Sequence, residues 1–304
     1  MGKKEEPILV AIQCLVYNHE PYLRDCFEGL VMQKTNFRFV AIVHEDASAD
    51  GSVAIIREYA EKYPEIFRPI YETENQWSKP DGSLGRIMNE AIVATGAKYV
   101  AMCEGDDYWT DPYKLQKQVD FMESHPDYAM CFHEVKVFNQ VTQQYEENTI
   151  TRDVPGTSDI SELAKGNFIH TVSVMFRYNK AVEEKISWMG VIHPGDYVMW
   201  MLYAETGKIY KLPEKMAVYR LGSGVWSGGK GIGNDLSMLI TLTKLWGALP
   251  QVREELWRQI CQFKQYMLNE DDEKAKLFEQ MSHSKAYRLG KCMLKPFKWM
   301  RRKG

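Results

Sequence analysis

An apolar, β-prone run, Tyr99-Val100-Ala101-Met102-Cys103, gives way without a break to Glu104-Gly105-Asp106-Asp107-Tyr108-Trp109. Three carboxylates therefore fall within four residues, where a buried strand leaves a sheet. Like charges this close oppose one another's ionisation, so a fold that gathers them needs a cation or a set of hydroxyls for them to hold. A hard divalent cation, Mg²⁺ or Mn²⁺, is the economical expectation. Such ions take carboxylate oxygens and enter with substrate phosphates rather than in an all-protein cage. An isolated pair of aspartates would more often be a solvated acidic turn; here the preceding strand and the following aromatic pair favour a site.

The chain can afford a large core, with 304 residues of which 45% are hydrophobic. A net charge of -3, with acids and bases interspersed, gives no electrostatic reason to bind nucleic acid. The six cysteines show no CxxC spacing and read as buried thiols of a reducing compartment. The charged segment Met1-Gly2-Lys3-Lys4-Glu5-Glu6 runs straight into a strand, and no apolar stretch reaches the length of a membrane span. A cytoplasmic protein is the expectation.

The first part of the chain alternates strand and helix. Ile8 to Val16 is a continuous apolar run suited to a strand buried on both faces. Pro21 fits a helix start, and Leu23, Phe27, Leu30 and Val31 follow helical spacing. Strands are expected at 37–43, 66–71 and from Tyr99. The helices between them carry Val53, Ile56 and Tyr59 inward, or run from Arg86 to Thr95 and stop at Gly96. This order implies right-handed crossovers and a mostly parallel sheet flanked by helices. Asp111-Pro112 reads as a helix start. Short strands at 128–132 and 135–138, a polar loop over 140–159, a strand at 171–176 and a helix at 197–204 are expected next. Beyond about residue 230 the chain reads as helical and charged, so the division expected is an α/β domain over 1–229 and a helical C-terminal extension over 230–304.

Open α/β sheets bind ligands outside the carboxyl ends of their strands. Asn18-His19-Glu20 after the first strand, Glu45-Asp46 after the second and Glu104-Asp106-Asp107 after the fourth all fall there. Such a set calls for a ligand rich in hydroxyls, or phosphorylated and bridged by a metal, and a nucleotide-sugar meets both demands. The sequence lacks a G-x-G-x-x-G after the first strand, a P-loop and a G-x-S-x-G elbow. A sugar nucleotidylyl transferase is the alternative within enzymes, but it needs a glycine-rich loop where Tyr17-Asn18-His19-Glu20-Pro21-Tyr22 stands. A catalytically silent nucleotide-sugar binder is the alternative outside them.

Together Tyr17-Asn18-x-x-x-Tyr22-Leu23, Glu45-Asp46-Ala47-Ser48-x-Asp50-Gly51-Ser52 and Glu104-Gly105-Asp106-Asp107-Tyr108-Trp109-x-Asp111-Pro112-x-Lys114-Leu115 resemble the family 2 glycosyltransferases of GT-A fold. Gly195-Asp196-Tyr197 and Tyr219-Arg220 extend the resemblance over about residues 7–227, to bacterial members that build surface polysaccharides. It implies an inverting, metal-dependent transfer from a nucleotide-diphosphate donor, a UDP-sugar first, to a saccharide or polyprenyl-linked saccharide. Asn18, Glu45, Asp46, Arg86, Glu104, Asp106 and Arg220 are the implied donor-binding residues, with Asp46 at the base and Arg86 near the base or diphosphate. Glu104-Gly105-Asp106 corresponds to the DxD motif, and of Asp106 and Asp107 one ligates the metal while the other holds the ribose. Asp196 is the implied general base; capping the following helix is its structural alternative.

Family members often carry a histidine shortly after the Tyr-Arg pair, whereas here Leu221-Gly222-Ser223-Gly224-Val225-Trp226-Ser227 follows. Arg220 and backbone N–H groups of this stretch would then serve the phosphates. His193 is a further acceptor or phosphate candidate. The basic, aromatic tail over 291–303 would suit peripheral contact with anionic lipid at the inner face of the plasma membrane, a solvated terminus being the alternative.

Overall fold

The computed structural model of the chain describes residues 6–189, 194–223 and 232–270. His193, Trp226 and the basic tail lie outside the described residues. The N-terminal part runs β1 (Ile8–Val16), α1 (Leu23–Val31), β2 (Arg38–Glu45), α2 (Ser52–Lys62), β3 (Phe67–Tyr71), α3 (Ser83–Thr95) and β4 (Tyr99–Met102). There follow β5 (Tyr108–Trp109), α4 (Lys114–Ser124), β6 (Tyr128–Asn139), β7 (Gln144–Glu146), β8 (Thr157–Ser158) and α5 (Ile160–Leu163). A 3₁₀ turn at Thr171–Ser173 leads to β9 (Met175–Arg177), α6 (Lys180–Met189), α7 (Gly195–Tyr203), β10 (Lys208–Leu221), α8 (Ile232–Ala248) and α9 (Arg253–Glu270).

The strands form one ten-stranded sheet in the order β3-β2-β1-β4-β9-β6-β10-β5, with β7 on β6 and β8 on β10. β3, β2, β1 and β4 are mutually parallel, as the alternation of strand and helix implies. β9 then runs antiparallel to both β4 and β6, so the second half is mixed, with β6 and β10 parallel to each other. Because side chains alternate across a strand, β4 sends Val100 and Met102 to one core and Tyr99 and Ala101 to the other. The first core lies under α3, α6, α7, α8 and α9, and the second under α1, α2 and α4. Leu239, Leu242, Leu245 and Leu256 of the C-terminal helices share the first core with Trp200 and Met201 of α7. No helix among the described residues is long and apolar enough to cross a membrane.

Several local expectations are revised. The two strands read at 128–132 and 135–138 are one, β6. Within the supposed loop over 140–159, Gln144–Glu146 pairs with β6 and Thr157–Ser158 with β10. The strand expected from Thr171 begins only at Met175, because Ser173 N donates to His170 O at 3.0 Å and curls the chain into the 3₁₀ turn. β10 gave no clear pattern in the sequence: Lys208, Lys211, Glu214 and Lys215 interrupt its apolar positions, and Pro213 falls at an irregularity in its register with β6. Helix α4 starts at Lys114 rather than Pro112, with Asp111 Oδ1 accepting from Tyr113 N at 2.8 Å. On α2 the buried positions are Ile55, Ile56 and Tyr59, with Val53 only half-buried. Four cysteines are buried as expected, but Cys261 is exposed; Cys292 lies outside the described residues.

Helix α1 crosses β5 at Gly29, where an added Cβ would sit 2.8 Å from Trp109 N and 2.9 Å from Trp109 O. Both neighbours are backbone and cannot turn aside. Gly29→Ala should therefore destabilise the protein by about 1–3 kcal/mol, the usual cost of overpacking, measured as a lower urea midpoint at unchanged m-value.

Candidate functional site

The parallel order β2-β1-β4 brings three loops to one edge, and backbone hydrogen bonds fix them there. Asp46 N donates to Val16 O at 2.9 Å, and Gly105 N to Leu15 O at 2.9 Å. The loop after β1 is laced to the loop after β2: Asn18 N donates to Ser48 Oγ at 3.0 Å and Ala49 N to Asn18 Oδ1 at 2.8 Å. Glu20 N donates to Asp50 Oδ2 at 3.0 Å, and Gly51 N returns a bond to Glu20 Oε2 at 2.7 Å. Asn18 and Ala47 hold φ of 55° and 61°, left-handed values that cost a side-chain-bearing residue free energy and persist here because the lacing holds them.

The acids of the second loop are buried and bonded. Glu45 Oε1 accepts from Ser48 N at 2.6 Å. Asp46 accepts from Gln76 N at 2.6 Å and Trp77 N at 3.0 Å, one on each carboxylate oxygen. Asp46 thus fixes the turn that carries the exposed indole of Trp77, a residue the sequence reading did not single out. Arg86 is exposed near the start of α3 and bonds to Asp81 O and to the Asp81 carboxylate.

The acidic loop turns back on itself tightly. At Gly105 a Cβ would meet His19 Nδ1 at 2.8 Å, so glycine alone lets the β1 loop lie against it. Asp106 is 5% exposed and its Oδ2 accepts from Ser223 Oγ at 2.8 Å. Asp107 is 1% exposed; its Oδ1 accepts from Arg220 N at 2.7 Å, while Oδ2 is buried with no hydrogen-bond partner among the described residues. The Arg220 guanidinium pairs with Asp25 of α1 and lies between two rings, 5.2 Å from the centroid of Tyr22 and 4.8 Å from that of Tyr108. Arg220 therefore arrives at the acidic loop through its backbone amide, with its charge turned toward Asp25.

Asp196 comes from the later half of the chain, near enough to raise the Glu104 carboxyl. It sits in the first turn of α7, but the N-cap position belongs to Pro194. Its Oδ1 accepts from its neighbour's Tyr197 N at 2.7 Å, and its Oδ2 accepts a long 3.5 Å bond from Thr171 Oγ1. No motif in the sequence points to the hydroxyls of Thr171 and Ser223 as partners of these acids.

The electrostatics follow from burial and like charge. Loss of solvent, then Asp106 and Asp196, push the Glu104 carboxyl up to about 8. Burial, with Asp106 adding to it, holds Asp107 well above the usual carboxylate range, and the Arg220 amide only partly offsets this. Burial also raises Asp196. His19 is lowered by burial against the pull of Asp106 and Asp50.

This donor set fits a hard divalent cation. It offers oxygens only, and one of them, Asp107 Oδ2, is buried without a partner among the described residues. No group of three or more His, Cys, Asp or Glu side chains among the described residues forms a ready-made cage. One or two carboxylates completed by substrate phosphates is the usual arrangement for Mg²⁺.

The first curated relatives that the sequence matches are mycobacterial proteins without an assigned activity, 36% identical over 225 residues and 71% of this chain. The chain spans 60% of their length. It is 24% identical to the amylovoran biosynthesis glycosyltransferase AmsE of Erwinia amylovora over 78% of this chain and 85% of that one. In fold it is similar to TarS of S. aureus, solved with UDP-GlcNAc, at a TM-score of 0.65 and 13% identity over 88% of this chain and 78% of that one. It is also similar to the mannosyltransferase PcManGT of Pyrobaculum calidifontis, solved with GDP-Man and Mn²⁺, at a TM-score of 0.57 and 14% identity over 94% of this chain and 86% of that one. Residues 14–187 match the family described as glycosyl transferase family 2. The central sheet flanked by helices is the GT-A architecture, and the chain belongs to glycosyl transferase family 2.

Proposed function

We propose that the protein is a metal-dependent, inverting hexosyltransferase that moves a sugar from a UDP-sugar to a saccharide or lipid-linked saccharide in surface polysaccharide assembly. The observation that carries this reading is the placement of Asp196, whose charge reaches Glu104 of the acidic loop although it stands on a separate element, α7. A donor held at Glu104, Asp106 and Asp107 would present its anomeric carbon toward Asp196. Its base would lie along the β1 and β2 loops, near Asn18, Glu45 and Asp46, and its ribose against whichever of Asp106 and Asp107 does not hold the metal, with Arg86 near the base or diphosphate and Arg220 behind the acidic loop. UDP-GlcNAc in TarS and GDP-Man with Mn²⁺ in PcManGT support a nucleotide-sugar of this kind. AmsE supports polysaccharide synthesis as the setting. A place at the inner face of the plasma membrane, reached through the basic tail, belongs to the same proposal.

In the reaction the acceptor hydroxyl gives its proton to the Asp196 carboxylate as its oxygen bonds to the anomeric carbon. The bond from that carbon to the diphosphate breaks, the electron pair leaves with the nucleoside diphosphate, and configuration inverts. The raised proton affinity of Asp196 suits a general base. When bound at Asp106 or Asp107, a divalent cation would offset the negative charge growing on the leaving diphosphate.

Asp196→Asn should lower transfer by about 10²–10⁴-fold, the usual contribution of a general base, while calorimetric binding of UDP with Mn²⁺ stays unchanged. Full turnover in this variant would remove Asp196 from the mechanism. In a thermal-shift panel, UDP with Mn²⁺ should raise the melting temperature more than either alone, since ligand at a hundred times its Kd adds ~2.7 kcal/mol to the folded state. A larger rise with GDP, CDP or dTDP would change the base assigned, and no rise with any of them would overturn the donor-site reading.

The Glu104 carboxyl also makes a pH signature. Its folded value of about 8 lies above that of an ordinary glutamate, so between the two the folded protein keeps a proton that the unfolded chain has released. Its contribution to stability therefore falls as pH rises through this window. Glu104→Gln should melt progressively higher relative to the parent protein as pH rises from about 5 to 8.5, and UDP with Mn²⁺ should shrink the difference. Parallel melting curves across that range would show an ordinary carboxyl at this position.

A further inference from the structure

Lys114 is wholly buried, and no carboxylate pairs with it among the described residues. An unpaired ammonium is costly in such a place, and burial pulls this one down to about 7. The groups facing it are few: Cys103 at the end of β4 and Cys131 and His133 of β6 act on it electrostatically. Its Nζ lies 4.0 Å from the centroid of the Trp109 ring and donates to Gln118 Oε1 at 2.7 Å. Both of those partners reach the same target. Trp109 Nε1 donates to Val172 O at 2.9 Å, and Gln118 Nε2 donates to Ser173 O at 2.9 Å.

Val172 and Ser173 belong to the 3₁₀ turn whose first residue, Thr171, holds Asp196. Trp109 lies two residues beyond Asp107, on the strand that leaves the acidic loop. One lysine therefore braces both side chains that tie the acidic loop and α4 to the turn behind Asp196. A methionine in its place would pack as well but would bond to neither the amide of Gln118 nor the face of the indole.

We infer that Lys114 is a positioning residue for transfer: through Trp109 and Gln118 it sets the Thr171–Ser173 turn, and with it Asp196, against the donor carboxylates. The inference rests on Asp196 being the base, and it assigns Lys114 no contact with substrate. A misplacement of about 1 Å in a reacting geometry can cost 10²-fold in rate, so this arrangement has kinetic weight beyond packing.

The test compares the parent protein with Lys114→Met, Gln118→Leu and the double variant. Turnover is read as nucleoside diphosphate release, with Mn²⁺, from UDP-glucose, UDP-galactose, UDP-N-acetylglucosamine and GDP-mannose, with water as acceptor. Each single variant should lower kcat by about 10–100-fold while KM for the donor and calorimetric UDP binding hold within twofold. The double variant should lose no more than the worse single one, since both changes break one linkage. Gln118→Leu keeps the lysine and reads the same connection if Lys114→Met does not fold. Hydrogen exchange on the free full-length chain gives an answer that needs no substrate: amides over 173–174 and 197 should exchange at least tenfold faster in the variants, with those of β1 and β2 unchanged. Unaltered kcat and unaltered exchange in the turn, in a variant that merely melts lower, would overturn the inference and leave Lys114 as packing. If Asp196→Asn keeps its turnover, the base assignment fails instead, whatever the lysine variants do.

Discussion

Loss of solvent around a cluster of carboxylates, with repulsion among those of the acidic loop adding to it, is the constraint around which this edge of the structure is arranged. Glu104, Asp106 and Asp107 share one tight loop, Asp196 stands opposite, and the carboxyls of Glu104, Asp107 and Asp196 are pushed above their ordinary range. Left to itself, such a loop would open into water, where each charge is solvated. It stays closed because its backbone is bonded into the sheet at Leu15 and because a β-strand amide and a serine hydroxyl each occupy one carboxylate oxygen. The strain that remains is directed: Asp107 Oδ2 has no partner among the described residues, so positive charge brought to it stabilises the whole edge. Ligand binding and folding stability are therefore coupled through the same few atoms.

The bond from Arg220 N to Asp107 Oδ1 also joins the two halves of the molecule, since Asp107 follows β4, the last strand of the N-terminal parallel set, and Arg220 lies near the end of β10. Arg220 is held in turn by Asp25 of α1 and by the rings of Tyr22 and Tyr108. An arginine between two aromatic faces and a carboxylate is well fixed, because its planar cation suits stacking and pairing together. Its own charge is thereby committed to α1. In this geometry the arginine contributes most directly by aiming its backbone amide.

The parallel half was legible in the sequence because its strands are buried on both faces and read as unbroken apolar runs; β1 covers the span expected of it. The three acidic and polar clusters were legible for the same reason, since each follows such a run directly. Legibility failed where tertiary contacts override local pattern. β10 carries five charges and a proline, yet it pairs over its length with β6, and register irregularities absorb the proline. The segment from Thr171 has strand-like residues, but Ser173 draws it into a turn through bonds to His170 O. Thr171, Ser223 and Lys114 come to the site from distant parts of the chain. Lys114 and Ser223 stand in stretches the resemblance covers, but their side-chain partners could not be read there, because what makes these residues matter is the group they face.

The C-terminal helices bear on the same question, since they look in sequence like a charged appendage. In the fold, Gln259 of α9 donates to Tyr197 Oη at 2.9 Å and to Ala164 O at 2.5 Å, and Tyr197 Oη donates to Leu163 O at 3.0 Å. Tyr197 is 1% exposed, and its backbone N–H is the group that bonds Asp196 Oδ1. The residue beside Asp196 is thus pinned from α9 on one side, while the turn behind Asp196 is pinned from α4 on the other. The carboxylates of the acidic loop are fixed by sheet backbone, whereas the surroundings of Asp196 depend on side-chain bonds from two helices remote in sequence. Of the two, the placement of Asp196 is the more exposed to single substitutions far from the site, because a backbone ladder survives a changed side chain and a two-residue linkage does not.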